Sequence, residues 1–227
     1  MKLIVTNDDG IEAPGLLTLE GLASQWGDVV VVAPAEVQSG AAHQLTNNQP
    51  IRVDELGSRR YRVWGTPADC ARLAVNQLAT DGDWVLSGIN DGGNLGVDVY
   101  ESGTVAAARE AAIHGCKAMA LSHYTADGRK IDWPLAAERL RPVLERLLRE
   151  DPEPGVFYNV NLPHPDHHES RLEVKSTPVD TSPFRITFTP TDNGYLHTGI
   201  YHERHREPGS DIDQCFSGHI SLSKIRV

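Results

Sequence analysis

Cysteine is scarce in this chain: its 227 residues hold three, Cys70, Cys116 and Cys215. They are widely spaced, odd in number and form no Cys-x-x-Cys pair, which speaks against a disulfide framework or a structural zinc site and suits a reducing cytoplasm. Long apolar runs are missing too. None approaches membrane length, and the opening MKLIVTNDDG has only a few residues before polar chemistry begins, too few for a secretory signal. A cytoplasmic location is therefore expected. There is also no basic excess: Lys and Arg number 21 against 31 Asp and Glu, a formal net charge of -10. Such a surface repels polyanions and argues against nucleic-acid polymers or membrane surfaces as partners. A small phosphorylated ligand stays compatible where a cation offsets the repulsion locally. Neither the Walker motif nor the GxGxxG dinucleotide fingerprint occurs, and no internal repeat or low-complexity run is found.

What is there suffices for a buried core. The apolar fraction is 40% and the charged fraction 23%, ordinary for one globular domain or a core with an appendage. Residues 2–6 (KLIVT) and 28–34 (DVVVVAP) read as strands buried on both faces. Between them Leu16, Leu19, Leu22, Ala23 and Trp26 recur at helical spacing, predicting a helix over 15–26 and a right-handed βαβ unit. Segments 51–56 and 60–65 alternate around Gly57-Ser58 as a hairpin would. Thr66-Pro67-Ala68-Asp69 has the cap, the N1 proline and the early acid of a helix running to about Ala79. A strand at Trp84-Val85-Leu86, a helix from Thr104 to His114 and a strand over 116–122 follow. The 134–149 stretch is amphipathic, and Pro142 is expected to kink or split it. Beyond Gly155 strand-like pieces (156–162, 172–177, 184–189, 217–226) alternate with Pro- and His-rich loops, with no strong helix signal. The fold class is α/β: a Rossmann-like, doubly wound, mostly parallel sheet over 1–150, with 151–227 adding strands and a β-rich arm to one structural domain.

Asp8 and Asp9 follow the first strand directly. In open α/β sheets ligands bind beyond the carboxyl ends of the strands, near the switch point. Adjacent carboxylates repel, so holding them together needs a cation or a shared proton; the competing reading is a plain Asp-Gly turn at Asp9-Gly10. The loops holding Ser39-Gly40 and Ser87-Gly88-Ile89-Asn90 also leave strand carboxyl ends. Two carboxylates, a hydroxyl and an amide oxygen form an all-oxygen set that suits Mg²⁺ or Mn²⁺ rather than zinc. Ser102-Gly103-Thr104 opens a helix whose free N–H groups could cradle a phosphate; its blander role is N-capping. The ten histidines include clusters at His164, His167 and His168 and at His202 and His205, and neither has the ligand set of a zinc centre.

Taken in order, TNDDG with Ala13-Pro14-Gly15, VVAP, Ser39-Gly40-Ala41 with Leu45-Thr46, GTPADC, SGIN-x-G-x-N-L-G and SGTVAAAREA resemble the SurE family of 5′/3′-nucleotidases over about residues 1–125. The resemblance implies one divalent metal ion per subunit held by Asp8, Asp9, Ser39 and Asn90, and hydrolysis of nucleoside 5′- and 3′-monophosphates, with short polyphosphate a further substrate. It implies a homodimer or homotetramer joined through the β-rich arm and the C-terminal segment. Two departures stand out. Gln38 occupies a position where the family often has Arg, and the last strand reads Ser-Leu-Ser-Lys before the sequence ends at Val227 without a family-type C-terminal helix. On this reading Asp8 and Asp9 are catalytic, and Asn7, Gly40, Asn94, Ser102, Gly103 and Thr104 contact phosphate or substrate. The alternatives are a zinc-dependent deacetylase-type hydrolase and a non-catalytic nucleotide sensor.

Overall fold

The computed structural model describes all residues except 58, 126–128, 165–171, 184–185 and 199. Strand β1 (Lys2–Thr6) is followed by helix α1 (Pro14–Ala23) and strand β2 (Asp28–Pro34). Then come the hairpin β3 (Val53–Glu55) and β4 (Arg60–Val63), helix α2 (Pro67–Leu73) and strand β5 (Trp84–Asp91). The short α3 (Asp98–Glu101) leads into α4 (Gly103–Ile113), β6 (Lys117–His123), α5 (Trp133–Leu147) and β7 (Val156–Leu162). Strands β8 (Val174–Ser176), β9 (Phe188–Thr191) and β10 (Gly194–His197), helix α6 (Asp211–Phe216) and strand β11 (Ile220–Arg226) complete the chain.

Nine strands form one sheet in the order β3-β4-β2-β1-β5-β6-β7-β11-β8. The run from β4 to β7 is parallel throughout, while β11 lies antiparallel to β7 and β3 to β4. Because the chain winds from β1 outward through β2 and later restarts on β1's other side at β5, the switch point lies between β1 and β5. Of the strands after residue 155, β7, β11 and β8 continue the same sheet, while β9 and β10 form a separate two-stranded sheet. Helices cover both faces, as a parallel sheet buried on two sides demands. On one face Leu16, Leu19 and Leu22 of α1 pack with Leu140, Val143 and Leu144 of α5 against Leu3, Val5 and Leu86. On the other, Cys70 of α2 and Val105, Ala108 and Ala111 of α4 pack against Ile4, Val32 and Val85. Burial pushes the Cys70 thiol well up, as befits an inert core residue. Among the described residues no helix is long and apolar enough to cross a membrane.

Several boundaries differ from expectation for local reasons. Helix α1 ends at Ala23, where the amides of Gln25 and Trp26 turn to the i−3 carbonyls of Leu22 and Ala23 and tighten the last turn. Trp26 lies beyond it, packed on the core, which is why its spacing looked helical. The expected single helix from Thr66 widens into a π turn over Ala74–Leu78, where the Ala79 amide reaches the Ala74 carbonyl at 2.8 Å. Pro142 neither ends nor divides α5. Helix α6 lies where no helix was expected; its signal was Ser210, which caps it through the Asp213 amide, with Asp211 and Asp213 in the first turn. The antiparallel pairing of β9 with β10 turns at Asp192-Asn193, the chemistry of a hairpin. Its outer residues at 184–185 lie outside the described residues, as do Ser58 of the first hairpin turn and His167 and His168 of the first histidine cluster.

Candidate active site

The turn after β1 places the two carboxylates. Asn7 is fully buried, and its Nδ2 donates to the Gly10 carbonyl at 2.9 Å, closing the turn. Gly10 takes φ of +99°, a backbone conformation open to glycine and costly for other residues. Asp8 is 4% exposed, and its Oδ1 accepts from the Thr104 hydroxyl. Burial raises the Asp8 pKa, an effect partly offset by the Thr104 hydroxyl and by the amides of Thr104 and Gly103. Asp9 is more open. Burial, and then the negative charges of Asp8 and Asp91, push its pKa up to about 6. Its Oδ2 accepts a long bond from the Asp91 amide at 3.4 Å, which ties the end of β5 to the pair. Among the described residues no Lys or Arg pairs with either carboxylate.

Strand β5 shifts register against β6 between Ser87 and Asn90, and this irregularity re-aims Asn90. The Asn90 Nδ2 is committed to the Gly92 carbonyl at 2.9 Å, leaving Oδ1 as its available end. Gly88 is demanded by space and by backbone, since an added Cβ would lie 2.1 Å from the Leu121 carbonyl oxygen at φ of +140°. The loop with Ser39 and Gly40 is pinned at two points: the Gln38 amide donates to the Asp8 carbonyl at 2.7 Å, and the Ala42 amide to the Glu101 carbonyl at 3.1 Å. Exposed Ser39 and Gly40 therefore span the gap between the Asp8 turn and the start of α4.

A second anchor holds the same loop. His43 contacts the buried carboxylate of Glu110 at 2.8 Å, which also takes Arg72 at 2.7 Å and His114 at 3.1 Å. Burial alone would raise the Glu110 pKa, but these hydrogen bonds and the Arg72 charge bring it down to about 2. Sequence reasoning missed this cluster; the available signal was an acid in the otherwise apolar run of α4.

Asp8, Asp9, Asn90 and the Ser39 loop thus meet at the switch point, while five residues expected on the substrate make hydrogen bonds that hold the site's own groups. The amides of Gly103 and Thr104, expected to cradle phosphate, face the Asp8 carboxylate. Ser102 is an N-cap, its Oγ accepting from the Val105 amide at 3.1 Å. Asn7 closes a turn from a buried position. Asn94 anchors the loop after β5: its amide donates to Asn161 Oδ1 at 2.7 Å, its Nδ2 to Ser122 at 2.8 Å, and its carbonyl accepts from Asn159 and Asn161. Asn159 and Asn161, two apart in the buried strand β7, could have been found as alternating polar residues in an apolar run.

The chemistry of this donor set fits a divalent cation. Two crowded carboxylates without a cationic partner need positive charge, and the oxygens offered are hard ligands. Asn7 Oδ1, in the same turn, is a buried oxygen with no hydrogen-bond partner. Among the described residues no three His, Cys, Asp or Glu side chains gather as a metal group. That leaves the amide and hydroxyl oxygens to complete the set and no histidine ligand for zinc. Of the C-terminal histidines, His202 meets the Tyr124 hydroxyl and His205 meets Glu207.

Fold and site together define a Rossmann-like α/β protein with an acidic centre at its switch point. A family model described as survival protein SurE matches residues 3–185. A protein of Nostoc sp. that bears a 5′-nucleotidase name is 46% identical over 227 residues, spanning 100% of both chains. The 5′-nucleotidase SurE of Allorhizobium ampelinum is 44% identical over 238 residues, covering 100% of this chain and 92% of its own. The crystal structure of the SurE protein from Aquifex aeolicus matches with a TM-score of 0.86 at 30% identity, over 100% of this chain and 93% of that one. The chain belongs to the SurE family, as its motifs led one to expect.

Proposed function

We propose that this protein is a metal-dependent phosphoric monoester hydrolase that cleaves nucleoside 5′- and 3′-monophosphates to nucleoside and phosphate, with short polyphosphate as a further substrate. The observation that carries the reading is the Asp8–Asp9 pair at the switch point, buried Asp8 beside half-buried Asp9 with no Lys or Arg on either among the described residues, and with Asn90 and the Ser39 loop beside it. The names of its relatives support a nucleotidase. Asp8, Asp9, Ser39 and Asn90 would hold one Mg²⁺ or Mn²⁺ per subunit. Such an ion supplies charge neutralisation and Lewis-acid polarisation of the phosphoryl group.

The chain's own groups do the rest. Thr104 and the first amides of α4 fix Asp8 in one orientation. Asp9, the more open carboxylate, takes a proton from the attacking water. The water oxygen forms the new bond to phosphorus, the ester P–O bond breaks in line with it, the leaving oxygen takes a proton from solvent, and Asp9 returns its own proton to solvent. The Gly40 amide, which has no intramolecular partner among the described residues, and the Ser102 hydroxyl proton can meet phosphate oxygens. Among the described residues the zinc-deacetylase reading lacks histidines beside the pair, and a binding-only sensor has no need of two clustered carboxylates.

A phosphate-release panel over mononucleotides, run on EDTA-treated protein with each divalent ion restored, tests the reading. Activity is expected only with a hard divalent cation. Asp8→Asn and Asp9→Asn should each lower turnover on the order of a hundredfold or more, since each removes a ligand at the reacting centre. They should also abolish the rise in melting temperature that Mn²⁺ gives the wild type. Full turnover in metal-free protein, or wild-type rates in either variant, would overturn it.

A further inference from the structure

Beside the carboxylate site lies a cavity of about 270 Å³ whose lining includes Glu36, Gln38, Gln44, Val63, Trp64 and Thr66. It sits over the carboxyl ends of β2 and β4, held together there by the Ala35 amide, which donates to the Val63 carbonyl at 2.7 Å. These strands are one and two places from β1, whose turn carries Asp8. At a strand spacing of about 4.8 Å, the cavity lies from the catalytic turn at a distance one ribose can bridge. The connection is direct: Gln38 lines the cavity, and its own amide bonds the Asp8 carbonyl.

The lining has the chemistry of a site for a flat, neutral, hydrogen-bonding ring. Trp64 is 44% exposed yet clamped. Its Nε1 donates to Asp54 at 3.0 Å, its backbone amide to the Arg52 carbonyl at 2.9 Å, and the Arg52 guanidinium lies 4.9 Å from its ring centroid. An aromatic plate fixed in this way loses little further freedom when something stacks on it. The Gln38 and Gln44 side-chain amides have no intramolecular partner among the described residues. Each offers both donors and an acceptor. The Gln44 backbone is set by Thr66, whose hydroxyl donates to its carbonyl at 2.7 Å. Glu36 makes the cavity hostile to a phosphate, which is left to the Asp8–Asp9 centre.

We infer that this cavity is the nucleobase subsite: the base stacks on Trp64 and its polar edge meets the Gln38 and Gln44 amides. The inference rests on the nucleotidase reading above. Because a glutamine amide can turn either its oxygen or its nitrogen toward a partner, the pocket accepts purines and pyrimidines alike. What it rejects is a phosphate monoester with no base.

The test compares a nucleoside 5′-monophosphate with ribose 5-phosphate, which has the same sugar phosphate and no base, using wild type, Trp64→Ala, Trp64→Phe and Gln44→Ala. Base stacking lost on substitution to alanine is worth roughly tenfold. The ratio of kcat/KM for nucleotide over ribose 5-phosphate should therefore fall about that much in Trp64→Ala, through KM, and recover largely in Trp64→Phe. Gln44→Ala should lower the same ratio by a smaller factor. In parallel, adenosine and uridine should quench tryptophan fluorescence of the metal-free wild type but not of Trp64→Ala, a readout that needs no turnover. A wild-type ratio near one, equal losses on both substrates, or nucleoside quenching that survives Trp64→Ala would overturn the subsite. The nucleotidase reading fails separately, if wild type releases phosphate from neither substrate with any divalent ion.

Discussion

At the scale of single residues the molecule spends much of its polar chemistry on holding other polar groups still. Thr104 is the clearest case: a hydroxyl at a helix start that could have met a phosphate instead donates to Asp8 and sets that carboxylate's orientation. His123 shows the cost of burying an ionisable group for structure. It is 3% exposed, with Nδ1 against the Tyr124 carbonyl at 2.9 Å. Burial lowers its pKa to about 4, with the neighbouring His164 and Arg139 charges adding to the effect. The folded protein thus keeps His123 neutral where the unfolded chain, titrating near 6.5, takes up a proton. Its contribution is complete above pH of about 6.5 and is lost as the pH falls toward 4, a swing of about 3 kcal/mol at most. Urea midpoints measured across this range should drop more steeply for wild type than for His123→Gln. Parallel curves would show that the ring is not protonated only on unfolding.

At the scale of elements, the fit between α4 and the β1 turn governs the site. A Cβ on Gly103 would lie 2.8 Å from Asp8 Cβ and 2.9 Å from Pro67 Cγ, so this glycine exists for close approach rather than for turn geometry. Gly103→Ala should displace Asp8 and lower kcat/KM on the order of a hundredfold, as small misplacements of catalytic groups do. It should also shrink the Mn²⁺-induced thermal shift. A change in phosphate affinity alone would instead mean that the helix start binds substrate and not Asp8. From the sequence one could read that Gly103 is special, because glycine between two hydroxyl residues opens a helix; what it packs against required the fold. The same holds more widely. Period-two and period-3.6 patterns locate the strands and helices of the core, since burial on two faces or one leaves a strong local signature. The π turn after α2 and the continuity of α5 through Pro142 depend on packing that no local pattern records, and the six-residue α6 leaves only its Ser210 cap and two early acids as a signal. The Asp8, Asp9, Ser39 and Asn90 group could be assembled from strand ends alone. The Glu110–His43 anchor and the Asn94–Asn161 network, joining residues 67 apart in the chain, could not.

At the scale of the whole molecule the unfinished part is the arm. Among the described residues strands β9 and β10 pair only with each other, and every residue in both is exposed. Phe188 is 56% exposed, Tyr195 77% and Leu196 59%, with Ile186 and Ile200 flanking them at 53% and 58%. A lone two-stranded hairpin is at best marginally stable in water, and apolar side chains concentrated on one protruding element mark an association surface. The nine-stranded sheet does not supply the cover, so a second subunit is the natural partner: two arms packed against each other, or each against its neighbour's body, would bury the row in a closed two-fold interface. Wild type is therefore expected to run as a homodimer, or as a homotetramer built from such pairs, in light scattering at micromolar concentration. Replacing 186–203 by a short Gly-Ser linker should give a monomer whose phosphate release persists, because Asp8, Asp9, Ser39 and Asn90 all come from the core. A wild-type monomer, or a dimer that survives the replacement, would place the interface elsewhere. A monomer that has lost activity would show instead that the arm completes the site of its partner.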